Sequence, residues 1–222
     1  MTYILSIETS TKNCSVSLSL NGETISTREA FEDGYSHAEK LHVFIEEVLK
    51  ESEIEFSKLN AVAVSQGPGS YTGLRIGVSA AKGICYALSI PLIALDTLEI
   101  LARELSVNDD VVVPMIDARR MECYTAIFSS DFNLIREVKS EIINEESFSE
   151  IENKIHFLGD GASKCKEVLK GDKFIYHDEY VFPSSKQMGN LAFEKYKKSD
   201  TVNVAYFEPF YLKDFMITTS SK

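Results

Sequence analysis

The chain has 222 residues, of which 44% are hydrophobic and 26% are charged. This length can hold one large or two small domains with a buried core, and the composition is that of a globular protein. The formal net charge of -11 at pH 7 argues against direct binding of a nucleic-acid backbone by the protein alone, because such binding needs a basic face.

The four cysteines, at positions 14, 85, 123 and 165, are too widely spaced for a zinc ribbon or a thioredoxin motif, and we interpret them as small core residues. The longest apolar region, from Gly77 to Leu95, is interrupted by Lys82 and Pro91 and is too mixed to span a bilayer. No charged-then-apolar leader opens the chain. We therefore expect a cytoplasmic protein with no membrane association.

The first half of the chain predicts three strands, a helix, a strand, a second helix, a strand and a third helix. Asn21-Gly22 marks a hairpin turn, and Ser36 with Glu39 is typical of a capped helix start. In chain order the predicted elements are strands at 3–7, 14–20 and 23–30, a helix at 36–53, a strand at 61–64, a helix at 71–88, a strand at 92–95 and a helix at 97–105.

The second half begins the same pattern again. A strand at 111–116 ends at Asp117 as the first strand ends at Glu8, and an alternating strand opens six residues later at Cys123, as one does at Cys14. We also expect a third strand at 132–138. The repeat suggests a duplicated α/β fold with a boundary in the polar segment 106–110, although one offset with few identities is weak support.

A glycine-rich loop, Gly67–Gly73, lies between a predicted strand and a predicted helix. In this setting backbone N–H groups can hold an anion, but the loop lacks the Gly-Lys-Ser/Thr of a Walker A motif and the spacing of a dinucleotide-binding loop. The spacing alone leaves anion binding and a tight turn equally open.

Gly73, Gly77 and Ala81 lie four residues apart on one face of the following helix. A glycine inside a helix costs about 1 kcal/mol relative to alanine, and close approach of another backbone usually offsets that cost. That backbone is either the sheet of the same domain or a helix of another subunit, and the sequence leaves both open.

Polar residues follow three predicted strands, at Glu8-Thr9-Ser10, at Asp117 and at Gly159–Ala162. Open α/β sheets place ligand-binding groups at such positions. The residues of a possible vestigial nucleotide or phosphate site are Glu8, Thr9, Ser10, Gly67, Gly69, Asp117, Gly159 and Gly161.

Neither metal nor hydrolytic chemistry is indicated. His37 and His42 are about 140° apart around a helix and do not face one ion, while His156 and His177 are isolated in the sequence. No Gly-x-Ser-x-Gly elbow is present. We expect no catalytic residues and no metal.

Three motifs together resemble one family: Ile4–Ser10, the glycine loop with its Leu74-Arg75-Ile76-Gly77 extension, and Asp117–Tyr124. Segments Gly159–Ala162 and Pro209–Lys213 extend the resemblance over nearly the whole chain. The family is the bacterial TsaB family, a glycopeptidase-like group that is needed to make threonylcarbamoyladenosine in tRNA.

The resemblance implies an actin/Hsp70/sugar-kinase-like fold, with two similar α/β domains containing mixed sheets. Residues 1–106 would form the partner-docking domain, and residues 107–222 the second domain, with a tail that can pack back on the first. It also implies a non-catalytic scaffold that binds and activates a catalytic, metal-bearing paralogue of the TsaD type. That paralogue modifies the adenosine next to the anticodon.

The same resemblance implies a small ATPase partner of the TsaE type and a homodimer when the protein is alone. It implies no required cofactor, although weak ATP or ADP binding at the partner interface stays open. The helices at 36–53 and 71–88 would form the docking surface. Its predicted contact residues are His37, Leu41, Phe44, Tyr71, Gly73, Leu74, Gly77 and Ala81.

The catalytic paralogue carries a His-x-x-x-His metal pair, and alignment places those positions at Thr97 and Leu101, neither of which replaces an imidazole. The alternative function is a nucleotide-dependent transferase or glycopeptidase-like enzyme that acts by itself. A homodimeric binding module with unrelated partners is a third reading.

Overall fold

The structure, a computed structural model, describes residues 1–31 and 37–212. Within these ranges the chain forms ten strands and four helices. The strands are β1 Tyr3–Glu8, β2 Asn13–Leu20, β3 Glu23–Phe31, β4 Leu59–Gly67, β5 Leu92–Asp96, β6 Val111–Asp117, β7 Glu122–Ser129, β8 Leu134–Ile142, β9 Ile155–Leu158 and β10 Phe174–His177. The helices are α1 His37–Glu51, α2 Tyr71–Leu88, α3 Thr97–Ala102 and α4 Met188–Lys197.

The two halves build sheets of the same design. The first sheet has the order β3-β2-β1-β4-β5, and the second, read in the matching direction, has the order β8-β7-β6-β9-β10. In each sheet the central strand pairs antiparallel with the next strand along the chain and parallel with a later one. This repetition confirms the predicted duplicated α/β fold with mixed sheets.

Local chemistry explains the first sheet. Asn21 and Gly22 take φ values of 52° and 94°, so this pair turns β2 into β3 as predicted. Strands β1 and β4 are buried along most of their lengths because helices cover both faces of the sheet. Residues Leu5 and Ile7 face the core under α1 and α2, whereas Ile4 faces the core under α4.

Several boundaries differ from the predictions. Helix α3 ends at Ala102 and not at Leu105, and β8 begins at Leu134 because Phe132 has a φ of 59° in the preceding turn. The loop at Gly159–Ala162 leads into a 3-10 turn, Ser163–Cys165. The predicted helix cap at Ser36 lies outside the described residues.

Helix α3 and the segment that follows it connect the two sheets. Leu98 and Leu101 of α3 pack in one buried cluster with Val112 and Phe128 of the second sheet. The strand ends that carry the predicted polar loops, at Ser10 and Asp117, therefore line the same cleft. No helix in the described ranges is long and apolar enough to cross a membrane.

Candidate functional site: a helix face and a cleft between the sheets

The glycines of the loop and of α2 are required by close packing on the turn that follows β1. A Cβ atom added at Gly69 would lie 2.4 Å from the Ser10 carbonyl oxygen, and one at Gly73 would lie 2.0 Å from the Thr9 carbonyl oxygen. At Gly77 the added atom would be 2.2 Å from Thr9 Oγ1. The backbone that approaches the glycine face is thus the chain's own first sheet.

This packing involves most of the predicted docking residues. Six of the eight are buried within the chain because they lie on the faces of α1 and α2 that cover the first sheet, and they cannot form an accessible surface. These six are His37, Leu41, Gly73, Leu74, Gly77 and Ala81. Phe44 is half-buried against the same core, and Tyr71 keeps 36% of its surface exposed.

The outward faces of the same two helices form a shallow groove of about 710 Å³. We call it the α1/α2 groove. Its residues alternate along the helices with the buried ones. It is lined by Ala38, His42, Tyr71, Thr72, Arg75, Ile76, Ser79, Ala80, Gly83 and Ile84.

Gly83 lies in this groove and differs from the other α2 glycines. A Cβ atom added there would meet nothing within 4 Å, so no contact inside the chain requires a glycine at this position. A helical glycine without an internal packing reason leaves a smooth, open patch of backbone at the groove surface.

Two N–H groups at the start of α2 are used inside the chain. Ser70 N donates to the Ser10 carbonyl oxygen at 2.6 Å, and the Ser70 hydroxyl caps the helix by accepting from Gly73 N at 3.3 Å. These bonds, together with the close packing on the β1 turn, account for the Gly67–Gly73 loop as a connection that holds α2 against the sheet.

A strap formed by residues 203–212 crosses α2 and was not predicted as part of the site. Lys82 Nζ donates to the carbonyl oxygens of Ala205 and Phe207 at 3.2 and 2.9 Å. Phe210 N donates to the Gln66 carbonyl oxygen, and the Tyr211 ring packs on the Tyr71 ring with centroids 4.9 Å apart. The strap thereby brings the end of the described chain to the glycine loop.

The cleft between the two sheets has a volume of about 1060 Å³. Of the predicted nucleotide-site residues, it brings together Ser10, Gly69 and Asp117. The other five do not line it. Glu8, Thr9, Gly67, Gly159 and Gly161 are buried behind the cleft wall and serve packing.

Charged groups of both signs surround the cleft on the second-sheet side. Arg119 and Arg120, with φ values of 76° and 51°, form an exposed turn there, and Arg119 N donates to Asp117 Oδ1 at 2.8 Å. Burial raises the pKa of the Asp160 carboxyl, and its Oδ1 accepts a hydrogen bond from Asp117 N. Lys12, which sequence reasoning missed, lines the first-sheet side.

Glu8 is a buried carboxyl at the end of β1. Its Oε1 accepts hydrogen bonds from Ser10 N at 2.6 Å and from Ser65 Oγ at 3.0 Å, while Oε2 finds no partner among the described residues. Burial outweighs these bonds and raises the pKa of Glu8 to about 7. Glu8 does not line the cleft, so its carboxyl does not face the space in which a phosphate could bind.

The His37 side chain is buried at the start of α1 and contacts the chain's own backbone. Its Nε2 lies 2.8 Å from the Thr11 carbonyl oxygen, so this nitrogen donates and Nδ1 is the unprotonated one. Burial lowers the pKa of His37, which keeps the ring neutral near pH 7. The residue fastens the start of α1 to the β1–β2 turn.

Thr97 and Leu101, the positions aligned with the metal pair, both lie in α3 and are fully buried. Within residues 1–31 and 37–212, no group of three or more His, Cys, Asp and Glu side chains lies close enough to hold a metal ion.

Two sheets of the same order, joined through α3 and separated by a cleft, define a protein of the actin/Hsp70/sugar-kinase-like class. The fold is shared with YeaZ from Pseudomonas aeruginosa, with a TM-score of 0.85 at 24% sequence identity, over 96% of this chain and 100% of that one.

The sequence identifies the family. Residues 34–216 match the family described as TsaD, tRNA N6-adenosine threonylcarbamoyltransferase, and the chain belongs to that family. The chain is 28% identical to the tRNA threonylcarbamoyladenosine biosynthesis protein TsaB of Escherichia coli strain K12, covering 95% of this chain and 94% of that protein. Its identity to the Haemophilus influenzae protein of the same name is 29%, over 95% and 93%. The resemblance to TsaB proteins is confirmed.

Proposed function

We propose that the protein is a non-catalytic subunit in threonylcarbamoyladenosine synthesis, and that it binds and activates a catalytic paralogue of the TsaD type. The observation that carries this proposal is the α1/α2 groove. Its outward surface is accessible, of mixed apolar and small polar character, and smooth at Gly83. Relatives that cover nearly the whole chain are named for this biosynthesis, which supports the assignment of the pathway.

The chemistry of the residues supports a role without catalysis. Thr97 and Leu101 occupy the positions aligned with the metal pair, and both side chains are fully buried in the chain's own core. A threonine hydroxyl and a leucine cannot replace two imidazole ligands. The buried Glu8 is also turned away from the cleft, where a reacting substrate would have to lie.

The same groove would also be the contact surface of the proposed homodimer. A second copy of the chain can use it when the catalytic paralogue is absent, and the two partners would then compete for one surface. A small ATPase of the TsaE type would join only the complete assembly. Light scattering of the chain alone should show a homodimer, and after addition of the paralogue it should show a heterodimer of the two proteins.

Reconstitution tests the proposed role directly. The chain is incubated with tRNA and threonylcarbamoyl-adenylate, alone, with the catalytic paralogue, and with the paralogue and the small ATPase. Modified adenosine should be absent with the chain alone and should rise when the paralogue is added, above the level reached by the paralogue without the chain. Modification by the chain alone would support the alternative of an independent enzyme and would overturn the proposal.

A second proposal concerns the cleft, which we suggest binds ADP or ATP weakly. Ser10 lines the cleft, its buried Oγ has no hydrogen-bond partner among the described residues, and Arg119 and Arg120 line the second-sheet side. Calorimetry with ADP should show weak binding that is lost when both arginines are replaced by alanine. No heat of binding at millimolar ADP, or equal binding by the double variant, would exclude this site.

A further inference from the structure

The fold brings together two of the four cysteines that are distant in sequence. Cys123 begins the buried part of β7, and Cys165 ends the 3-10 turn after Gly161. Their sulfur atoms are 3.8 Å apart, and both residues are fully buried. Both sulfur atoms also lie near the Gly161 carbonyl oxygen, at 3.6 Å from Cys123 and 3.3 Å from Cys165.

The two thiols of this pair differ in acidity. The hydrogen bond from Cys123, helped by the neighbouring Lys164 ammonium, outweighs burial and lowers the pKa of Cys165. The same hydrogen bond, together with burial, raises the pKa of Cys123. The Lys164 ammonium, next to Cys165 in the chain, favours the Cys165 thiolate, which is the reactive form of a cysteine.

The pair lies directly behind the wall of the cleft. Gly161 is the neighbour of Asp160, which lines the cleft. Lys164, the neighbour of Cys165, forms an ion pair with Asp117 and donates to the Glu122 carbonyl oxygen at 2.7 Å, and both of these residues line the cleft too.

We propose that Cys123 and Cys165 form a reversible disulfide when the protein meets a small peroxide. The Cys165 thiolate attacks one peroxide oxygen and the O–O bond breaks, which gives a sulfenic acid on Cys165 and hydroxide. The Cys123 sulfur then attacks the Cys165 sulfur, the S–O bond breaks, and the proton from Cys123 leaves with the hydroxyl group as water. In total two thiols and one hydrogen peroxide give one disulfide and two waters.

A disulfide here would tie together the two loops that form the second-sheet wall of the cleft. The bond joins residues 42 positions apart, across the turn at Asp117–Glu122 and the loop at Gly159–Gly161. A small-molecule dithiol would reverse it by taking up the two oxidising equivalents as its own disulfide. The disulfide would act on the cleft, and its formation does not depend on the proposed docking function.

Cys14 and Cys85 provide an internal control. Both are buried free thiols, and burial raises the pKa of each to about 11, so neither thiol is ionised near neutral pH. The chain thus holds one close cysteine pair, in which the pKa of Cys165 is lowered, and two further buried cysteines whose pKa values are raised.

The full-length protein is treated with hydrogen peroxide, alkylated under denaturing conditions, and mapped by mass spectrometry. Free thiols should fall from four to two per chain, with one peptide pair joined through Cys123 and Cys165, and a dithiol reductant should restore all four. The melting temperature of the oxidised monomer should be higher by about 5 °C or more, since a closed loop restricts the unfolded chain.

Variants test the assigned roles. In Cys123→Ser the sulfenic acid on Cys165 should accumulate and react with dimedone, whereas in Cys165→Ser the label on Cys123 should be absent. The Cys14→Ala and Cys85→Ala variants should still form the disulfide. If the pair variants fail to fold, the peptide map of the unaltered protein decides by itself. Four free thiols after peroxide treatment, or a disulfide that uses Cys14, Cys85 or a second chain, would overturn the proposal.

Discussion

At the residue scale, the most informative group is the carboxyl of Glu8. Its pKa in the folded protein, about 7, lies above the ordinary 4.5 of a glutamate. The folded state therefore binds the proton more tightly than the unfolded state does, so stability falls as the pH rises from about 4.5 to 7 and then levels off. The shift corresponds to about 3 kcal/mol, because one pKa unit is about 1.4 kcal/mol.

Replacing Glu8 by glutamine should remove this pH dependence. Above pH 7 the variant should be more stable than the unaltered protein, since it no longer buries a charge, and near pH 4.5 the two should be similar. Urea unfolding at several pH values measures the difference. Glu46→Gln, at an exposed position of α1, is the matched control and should leave the pH profile unchanged. Parallel profiles for Glu8→Gln and the unaltered protein would contradict the raised pKa.

At the scale of elements, α2 contains a matched pair of glycines. Gly77→Ala places a methyl group against Thr9 Oγ1 and should destabilise the protein by about 2 kcal/mol, the usual range for overpacking. Gly83→Ala meets open space and should stabilise it by about 0.5–1 kcal/mol through helix propensity. Denaturant unfolding of both variants gives the two values, and a change of the same sign at both positions would refute the packing account.

Local patterns predicted much of this half of the fold. The Asn21-Gly22 turn and the bounds of α2 were predicted correctly, because a turn pair and a helix period are visible in a short stretch of sequence. The same period could not decide what approaches Gly73 and Gly77. That depends on where Thr9 lies after folding, and Thr9 is more than sixty residues away along the chain.

The parts that the sequence missed rely on distant partners. Helix α4 was not predicted because few of its residues carry the apolar pattern, and only Met188, Gly189, Leu191 and Ala192 are buried. For the strap at 203–212, only the family resemblance implied a tail on the first domain, because the strap has no regular pattern and its bonds run to Lys82 and Gln66. For the cleft, Ser10 and Asp117 were found because they follow strands, while Lys12 gives no comparable signal.

At the scale of the whole molecule, the duplicated fold leaves two surfaces with different properties. The cleft lies where the strand ends of both sheets meet and contains two residues of the second half with positive φ, Arg119 and Arg120. The α1/α2 groove belongs to the first sheet alone. The docking proposed for the groove and the nucleotide binding proposed for the cleft can therefore be tested by separate substitutions.

Gly83→Arg is the substitution best suited to block the groove without disturbing the fold. The position is exposed, a side chain there meets nothing within 4 Å, and arginine is a better helix former than glycine. Asn190→Arg, on the exposed side of α4 and away from the groove, is the matched control because it introduces the same charge.

The most direct measurement is the affinity of these two variants and the unaltered chain for the catalytic paralogue, by isothermal titration calorimetry. We expect Gly83→Arg to bind at least about tenfold more weakly, a loss of about 1.4 kcal/mol, with its melting temperature unchanged or raised. Asn190→Arg should bind as the unaltered chain does. Full affinity of folded Gly83→Arg would contradict docking through the α1/α2 groove.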